Sequence, residues 1–368
     1  MIIKTPVFPK LSDEKMRQML EPPTGKMRLV IDTDTKNEID DQFALAWALL
    51  SQDRFEIEGM YAAPFSFRHH QGPLLKAYDA LEQTENDQKV VYAGSYHDWA
   101  QALKKAGTDP RQIPFVHTDE GMELSYQEIL RIYELLEEDP AGKVFRGSTE
   151  YLKTTIQPER SEAVEHLIER AMSRATSDDK RPLYVAAIGA ATNIACALLI
   201  EPRIVEHIVV LWTSAFPSLS NQCNRLSLNF RQDLPASRLM FDSGVPHVYL
   251  PGFYIGEQLK ISLPDMERWV EGRGKIGNYL HHIYAHNPIY HQRGITEHFG
   301  RTWIMWDLIN IAWLLNPEWV PSELMPSPKV NDEMYWEQEN GRHLMREAVG
   351  INRDAIFRDF FQKLEKAP

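Results

Sequence analysis

Four aspartates, Asp32, Asp34, Asp40 and Asp41, fall within ten residues, between the apolar run Arg28-Leu29-Val30-Ile31 and the helix-like segment Phe43 to Leu50. A strand that runs through an acidic loop into a helix is an α/β unit, and few other folds accommodate it. Carboxylates this close raise one another's pKa unless a cation or hydrogen-bond donors balance them. Capping of the helix by Asp40 and Asp41 accounts for one or two of the acids. It leaves Asp32 and Asp34 at the strand end unexplained. A hard divalent metal explains all four, because calcium and magnesium prefer carboxylate and carbonyl oxygens, and ligands of open α/β sheets bind at the carboxyl ends of strands.

The alternation continues with Phe55 to Tyr61 and Val90 to Gly94 as strand-like runs. From His97 to Arg160 the pattern loosens around Gly107, Pro110, Pro114, Gly121, Pro140 and Gly142, which predicts an insertion or lid. Val164, Leu167, Ile168, Ala171, Met172 and Ala175 then share one helical face, and Leu183 to Ile188 reads as a buried strand. The turn Gly189 to Asn193 leads to a helix over Ile194 to Ile200, a strand at Ile208 to Trp212, a helix over Pro235 to Ser243 and a strand at Val248 to Leu250. A helix is predicted from Arg301 to Leu315, with Asp307 in its first half. Without internal repeats, the 368 residues are expected to form one α/β domain, preceded by an extension over residues 1–26.

A formal charge of −12 and the lack of any Lys/Arg-rich stripe speak against nucleic-acid binding. Cys196 and Cys223 provide no disulfide framework, which fits a reducing compartment. Met1 to Lys10 lacks the apolar core of a secretory signal and no stretch approaches transmembrane length, so a soluble, cytoplasmic protein is expected.

Four motifs occur in order: Asp32-Thr33-Asp34 with Asp40-Asp41, then Gly189-Ala190-Ala191-Thr192-Asn193, then Leu228-Asn229-Phe230-Arg231-Gln232-Asp233, then Trp306-Asp307-Leu308 running into Asn316-Pro317. From about Arg28 to Pro317 the chain resembles the nucleoside hydrolase family. The resemblance implies a Rossmann-like, mostly parallel central sheet flanked by helices, one bound Ca2+, a nucleoside substrate, a role in purine and pyrimidine salvage and a homo-oligomer, dimer or tetramer. It also implies that Asp34, Asp41, Asp307 and the carbonyl of Ile188 hold the metal. Asp34 would deprotonate the attacking water, and Asp40, Asn229, Asn221 and Trp212 would contact the substrate. Hydrolysis of an N-glycosidic bond develops positive charge on the ribose, and clustered carboxylates would stabilise that charge.

The chain departs from the family pattern at four places. Five residues, Thr35 to Ile39, separate Asp34 from the paired aspartates where the family usually has three, so the loop must bulge and bring Lys36 or Glu38 toward the site. Ser227 stands where a glutamate often precedes the ribose-binding asparagine, and Tyr61 to Phe65 lacks an expected asparagine. Trp306 replaces the histidine that protonates the leaving base in many members. In a purine-preferring branch the corresponding indole stacks on the base, whereas a plain buried helix residue is the alternative reading. His282 is the candidate replacement acid, in a run with His281, His286, His291 and His298; His282 and His286 are also spaced as a zinc pair.

Two rival functions fit parts of the pattern. A haloacid-dehalogenase-like phosphohydrolase would use the strand-end Asp32-Thr33-Asp34, and a nucleoside- or ribose-binding protein would keep the metal cage with little catalysis. An EF-hand is excluded, since Phe43 stands where the loop starting at Asp32 needs its glutamate.

Overall fold

The computed structural model describes residues 6–83, 95–113, 115–152, 157–176, 179, 181–292 and 299–368. In chain order, α1 (Asp13–Leu20) precedes β1 (Met27–Thr33), α2 (Asp40–Leu49) and β2 (Phe55–Ala62). Three helices, α3 (Arg68–Gln83), α4 (Ser95–Ala106) and α5 (Thr118–Leu135), lead to β3 (Val144–Arg146). The middle of the chain holds α6 (Glu162–Thr176), β4 (Leu183–Ala187), α7 (Thr192–Ile200), β5 (Ile208–Ser214), α8 (Leu228–Gln232), α9 (Leu234–Asp242) and β6 (His247–Pro251). It is followed by β7 (Lys260–Ser262), α10 (Leu263–Trp269), α11 (Gly274–Ala285), α12 (Pro288–Gln292), β8 (Thr302–Ile304) and α13 (Leu308–Leu315). The last elements are β9 (Ser322–Pro326), β10 (Lys329–Val330), β11 (Trp336–Glu337), β12 (Leu344–Ala348) and α14 (Arg353–Leu364).

Eight strands form one sheet in the order β3-β2-β1-β4-β5-β6-β12-β9, parallel throughout except for β9, which runs antiparallel to β12. The α/β class expected from the strand–helix alternation is the one observed. Every residue of β1, β4, β5 and β6 is buried, as expected of parallel strands covered on both faces. Side-chain alternation divides β1 between two cores. Leu29 and Ile31 face α2, α5, α11, α13 and α14, while Val30 faces α6, α7 and α9. Strand order reverses between β1 and β4, so a crevice opens at their carboxyl ends, where such sheets bind ligands.

Several sequence expectations change. Residues 302–304 form β8, paired with β7, and Asp307 caps α13 instead of lying inside a longer helix. The β-branched and aromatic residues Thr302, Trp303 and Ile304 favour the strand once β7 is present to pair with them. The stretch from His97 to Arg160 carries α4, the 18-residue α5 and β3. Within the extension before residue 27, α1 buries Met16, Met19 and Leu20 against the larger core. The strand expected over Val90 to Gly94 lies outside the described residues. Among the described residues, no helix is long and apolar enough to cross a membrane.

Candidate active site

Asp32 sits inside the sheet, opposite Tyr61 of β2 and Ala187 of β4. Its Oδ1 accepts a hydrogen bond from Asn193 Nδ2 at 2.8 Å. Burial pushes its carboxyl up to about 7, and the Asn193 bond offsets only part of that. The Thr192-Asn193 turn is thereby explained as scaffold. Thr192 Oγ1 donates to Asp233 Oδ2 at 2.8 Å, and Asn193 Oδ1 accepts from the Ser148 amide at 2.7 Å. Asp32 does not line the cavity described below, so it is not placed to act as the nucleophile of a phosphohydrolase.

The acidic loop begins one residue past β1. Asn37 braces it internally, donating its amide hydrogen to the Asp34 carbonyl and its Nδ2 to Asp34 Oδ2, both at 2.9 Å. Lys36, in a left-handed conformation with φ of 92°, turns outward, and its Nζ reaches Glu128 Oε2 of α5 at 3.2 Å. Glu128 also accepts from Gln42 Nε2 at 3.3 Å and from the Tyr279 hydroxyl of α11. The two extra loop residues are thus absorbed by a bulge in which Lys36 faces α5 while Asn37 and Glu38 line the cavity. Glu128 is 4% exposed, whereas Lys36 is exposed, so losing the charge of Glu128 weakens the bonds it accepts from Gln42 and Tyr279 as well as the ion pair. Glu128→Gln is expected to lower unfolding stability by about 1–3 kcal/mol in chemical denaturation.

Asp40 and Asp41 open α2, and Asp307 faces them from the start of α13; oxygens of the three lie within 4.8 Å of one another. Burial holds all three carboxyls well above the usual range, and the neighbouring carboxylates add to the effect. Asp34, pushed up to about 8 mainly by burial, lines the same cavity but is not one of the three whose oxygens approach one another this closely. Asp40 and Asp307 relieve their repulsion by a mutual hydrogen bond, and Thr33 Oγ1 donates to Asp41 Oδ1 at 2.5 Å. The Ile188 carbonyl, just past β4, accepts from Asn229 Nδ2 at 3.0 Å. Together these atoms offer oxygen donors only, and among the described residues no lysine, arginine or histidine lines the cavity. That chemistry fits a hard divalent cation.

The cavity has a volume of about 240 Å³. Its lining combines Asp34, Glu38, Asp40, Asp41, Asp307 and Ile188 with the apolar Leu226, Leu228, Phe253 and Trp306. Phe253 and Trp306 meet edge to face, ring centroids 5.5 Å apart. Trp306 is therefore half-buried at the cavity surface and not sealed in a core. Asn229, Ser214 and Ser227 also line it.

Three further sequence candidates fall outside this cavity. Trp212 is fully buried, with its Nε1 donating to the Gly189 carbonyl at 3.0 Å, so it supports the turn from below. Asn221 is exposed on the loop after β5, and the buried amide there is Asn224, whose Oδ1 accepts from the Phe216 amide at 3.2 Å. His282 is exposed and stacks on His286 with centroids 4.5 Å apart, on the face of α11 opposite Ile276, Leu280 and Ile283. His298 and the side chain of His291 lie outside the described part.

Sequence reasoning missed Asn310, whose Nδ2 donates to the carbonyls of Ala187 and Leu211, each at 3.1 Å, and so ties α13 to β4 and β5. A lone amide in the otherwise apolar Leu308-Leu315 was the available signal. Gly189 was read only as a turn, but a Cβ there would stand 3.0 Å from both Cγ and N of Asp34. Gly189→Ala is expected to displace Asp34 and weaken divalent-metal binding about 10-fold by calorimetry.

The family model for inosine-uridine preferring nucleoside hydrolase matches residues 29–357. A pyrimidine-specific ribonucleoside hydrolase of Klebsiella pneumoniae is 27% identical over 166 residues, covering 45% of this chain. The chain thus spans 50% of the length of that curated relative. Among solved structures, a purine-preferring ribonucleoside hydrolase from Gardnerella vaginalis aligns over 92% of this chain and 98% of its own, with a TM-score of 0.59 and 17% identity. An inosine-guanosine nucleoside hydrolase aligns over 93% and 99%, with a TM-score of 0.60 and 15% identity. At such identities the structural likenesses show a shared fold.

Proposed function

Since the chain belongs to the inosine-uridine preferring nucleoside hydrolase family, we propose that it hydrolyses the N-glycosidic bond of ribonucleosides, with a tolerance for purines, giving free base and ribose. The observation that carries this reading is one cavity whose lining combines buried carboxylates with the aromatic rings of Phe253 and Trp306, a lining that suits a polar sugar and a planar base.

Asp34, Asp41, Asp307 and the Ile188 carbonyl would hold Ca2+. When bound, the ion supplies positive charge that lowers the pKa of a coordinated water and orients the ribose hydroxyls. Asp34 accepts the proton of the attacking water, while Asn37 steadies its carboxylate. Asp40 takes ribose hydroxyl protons into its hydrogen bonds. The collected negative charge of the carboxylates stabilises the cation-like ribosyl group as the bond to the base breaks. Asn229 is anchored on the Ile188 and Thr213 carbonyls, leaving its Oδ1 to face the sugar. Trp306, which also lines the cavity, stacks on the base. Because His282 is exposed on α11 and is not among the residues that line the cavity, leaving-group protonation by His282 forms no part of this mechanism. A homo-oligomer acting in the cytoplasm, in purine and pyrimidine salvage, remains the proposal that the family resemblance supports.

The test is release of free base and reducing sugar from inosine, adenosine, guanosine, uridine and cytidine, with and without chelator. Chelator-sensitive release is expected. Trp306→Ala is expected to raise KM for purine nucleosides at least about 10-fold and for pyrimidines less, as base–aromatic stacking predicts. Calorimetric binding of a nucleoside with no release from any of the five would favour the binding-protein reading.

A further inference from the structure

Two arginines and two histidines gather around α8, the helix that carries Asn229, and have no part in the chemistry above. Arg231 lies on α8 one turn beyond Ser227, a cavity residue whose carbonyl accepts from the Arg231 amide at 3.2 Å. Its guanidinium meets the imidazole of His69 on α3. Next to His69, Arg68 lays Nη1 2.8 Å from Nδ1 of His117, the residue that precedes α5. The Ser66 amide donates to Gln232 Oε1 at 3.0 Å, which ties the segment before α3 to α8.

This spot runs against the overall balance of the chain, 52 acidic residues to 40 basic. Among the described residues neither Arg68 nor Arg231 has a carboxylate partner. Arg231 is half-buried, and its Nε is fully buried with no hydrogen-bond partner. A guanidinium in that situation is costly unless an anion completes it, and its planar fork matches the oxygens of a phosphate. Ser227, four residues before Arg231, lines the cavity and is neutral, its Oγ 3.1 Å from that of Ser214.

We propose that Arg231, with Arg68, His69 and His117 around it, forms an oxyanion subsite at the rim of the ribose pocket, and that the substrate is a ribonucleoside carrying a phosphate on its sugar. The proposal rests on the hydrolase reading and changes only what the sugar bears. Water adds its oxygen to C1′ and loses a proton. The C1′–N bond breaks with its electron pair leaving on the base, which takes up a proton, and a ribose phosphate is released. Phosphate on the substrate and free phosphate offer the same chemistry to Arg231, so the test must separate them.

Calorimetry on the calcium-loaded full chain would compare ribose 5-phosphate, ribose and inorganic phosphate, for the wild type, Arg231→Met and Arg231→Lys. Ribose 5-phosphate is expected to bind at least about 10-fold tighter than ribose, with the gain lost in Arg231→Met and partly kept in Arg231→Lys. In parallel, the ratio of kcat/KM for inosine 5′-monophosphate to that for inosine is expected to exceed one and to fall at least about 10-fold in Arg231→Met. Should that variant fail to fold by thermal melting, Arg68→Met and the lysine variant carry the same comparison. Ribose 5-phosphate binding no tighter than ribose, or binding indifferent to these variants, overturns the subsite. Inorganic phosphate binding as tightly as ribose 5-phosphate overturns the substrate assignment. Arginine-dependent binding of ribose 5-phosphate without base release from either compound supports the subsite and sinks the hydrolase reading instead.

Discussion

Asp34→Asn, saturated with calcium, is expected to release base at least about 1,000-fold more slowly than the wild type, the range a lost general base typically costs. The substitution keeps the shape of the side chain and an oxygen that can still accept from Asn37 Nδ2, so the loop should hold its course. What disappears is the ability to take a proton. Calcium affinity must be measured beside turnover, because Asp34 is also proposed as a ligand, and one lost carboxylate weakens metal binding. A variant that binds calcium at higher concentration yet stays inactive when saturated identifies the base. Recovery to within about 10-fold of wild type at saturating calcium would remove Asp34 from that role.

The second large effect concerns stability. Asp32 and Asp34 are buried and keep their protons up to about pH 7 and 8 in the folded chain without metal, whereas in the unfolded chain they ionise near their ordinary value of 3.8. Between those limits the folded state binds more protons than the unfolded one, so stability falls as pH rises. The contribution is fully present below about pH 4 and is lost progressively toward pH 8. For Asp32 alone the difference amounts to about 4 kcal/mol, an upper figure for a site fully closed to water. Metal acts in the opposite direction, since its ligands must be deprotonated, and its stabilisation grows as pH rises. Thermal melting in chelator is therefore expected to drop by about 5–10 °C between pH 5 and pH 8, with added calcium flattening or reversing the trend. A chelated protein whose Tm is level or climbs over that interval would show that these carboxylates are compensated some other way.

Much of the fold was legible because the inner strands are nearly unbroken apolar runs, and the glycine turn after β4 marks where the chain leaves the sheet. β8 was not legible. Three residues carry too little periodicity to announce a strand, and β8 exists only because β7 lies beside it. Around the cavity, the paired aspartates and Asp307 were visible as charges in places where a core should be apolar. Asn221 and Asn224 were not separable by sequence, since nothing in a loop says which amide turns inward. The spacing of His282 and His286 correctly put them on one helical face but could not say that the apolar residues of α11 would claim the other. Glu128 escaped notice because it looks like any acid on an amphipathic helix, although it sits one residue before Ile129 on the buried side.

The position of β12 bears on how the molecule is made. It is the last strand in the chain and yet an inner strand of the sheet, flanked by β6 and β9. On the ribosome, β6 must wait for residues 344–348 while some 90 residues are added, about 5–20 s of translation. Through that interval an apolar strand edge stays bare, a template for pairing with other chains. All the residues assigned to the cavity have been synthesised by Asp307. A message cut short between Asp307 and Leu344 would therefore carry the full set of site residues and still give aggregate, not enzyme.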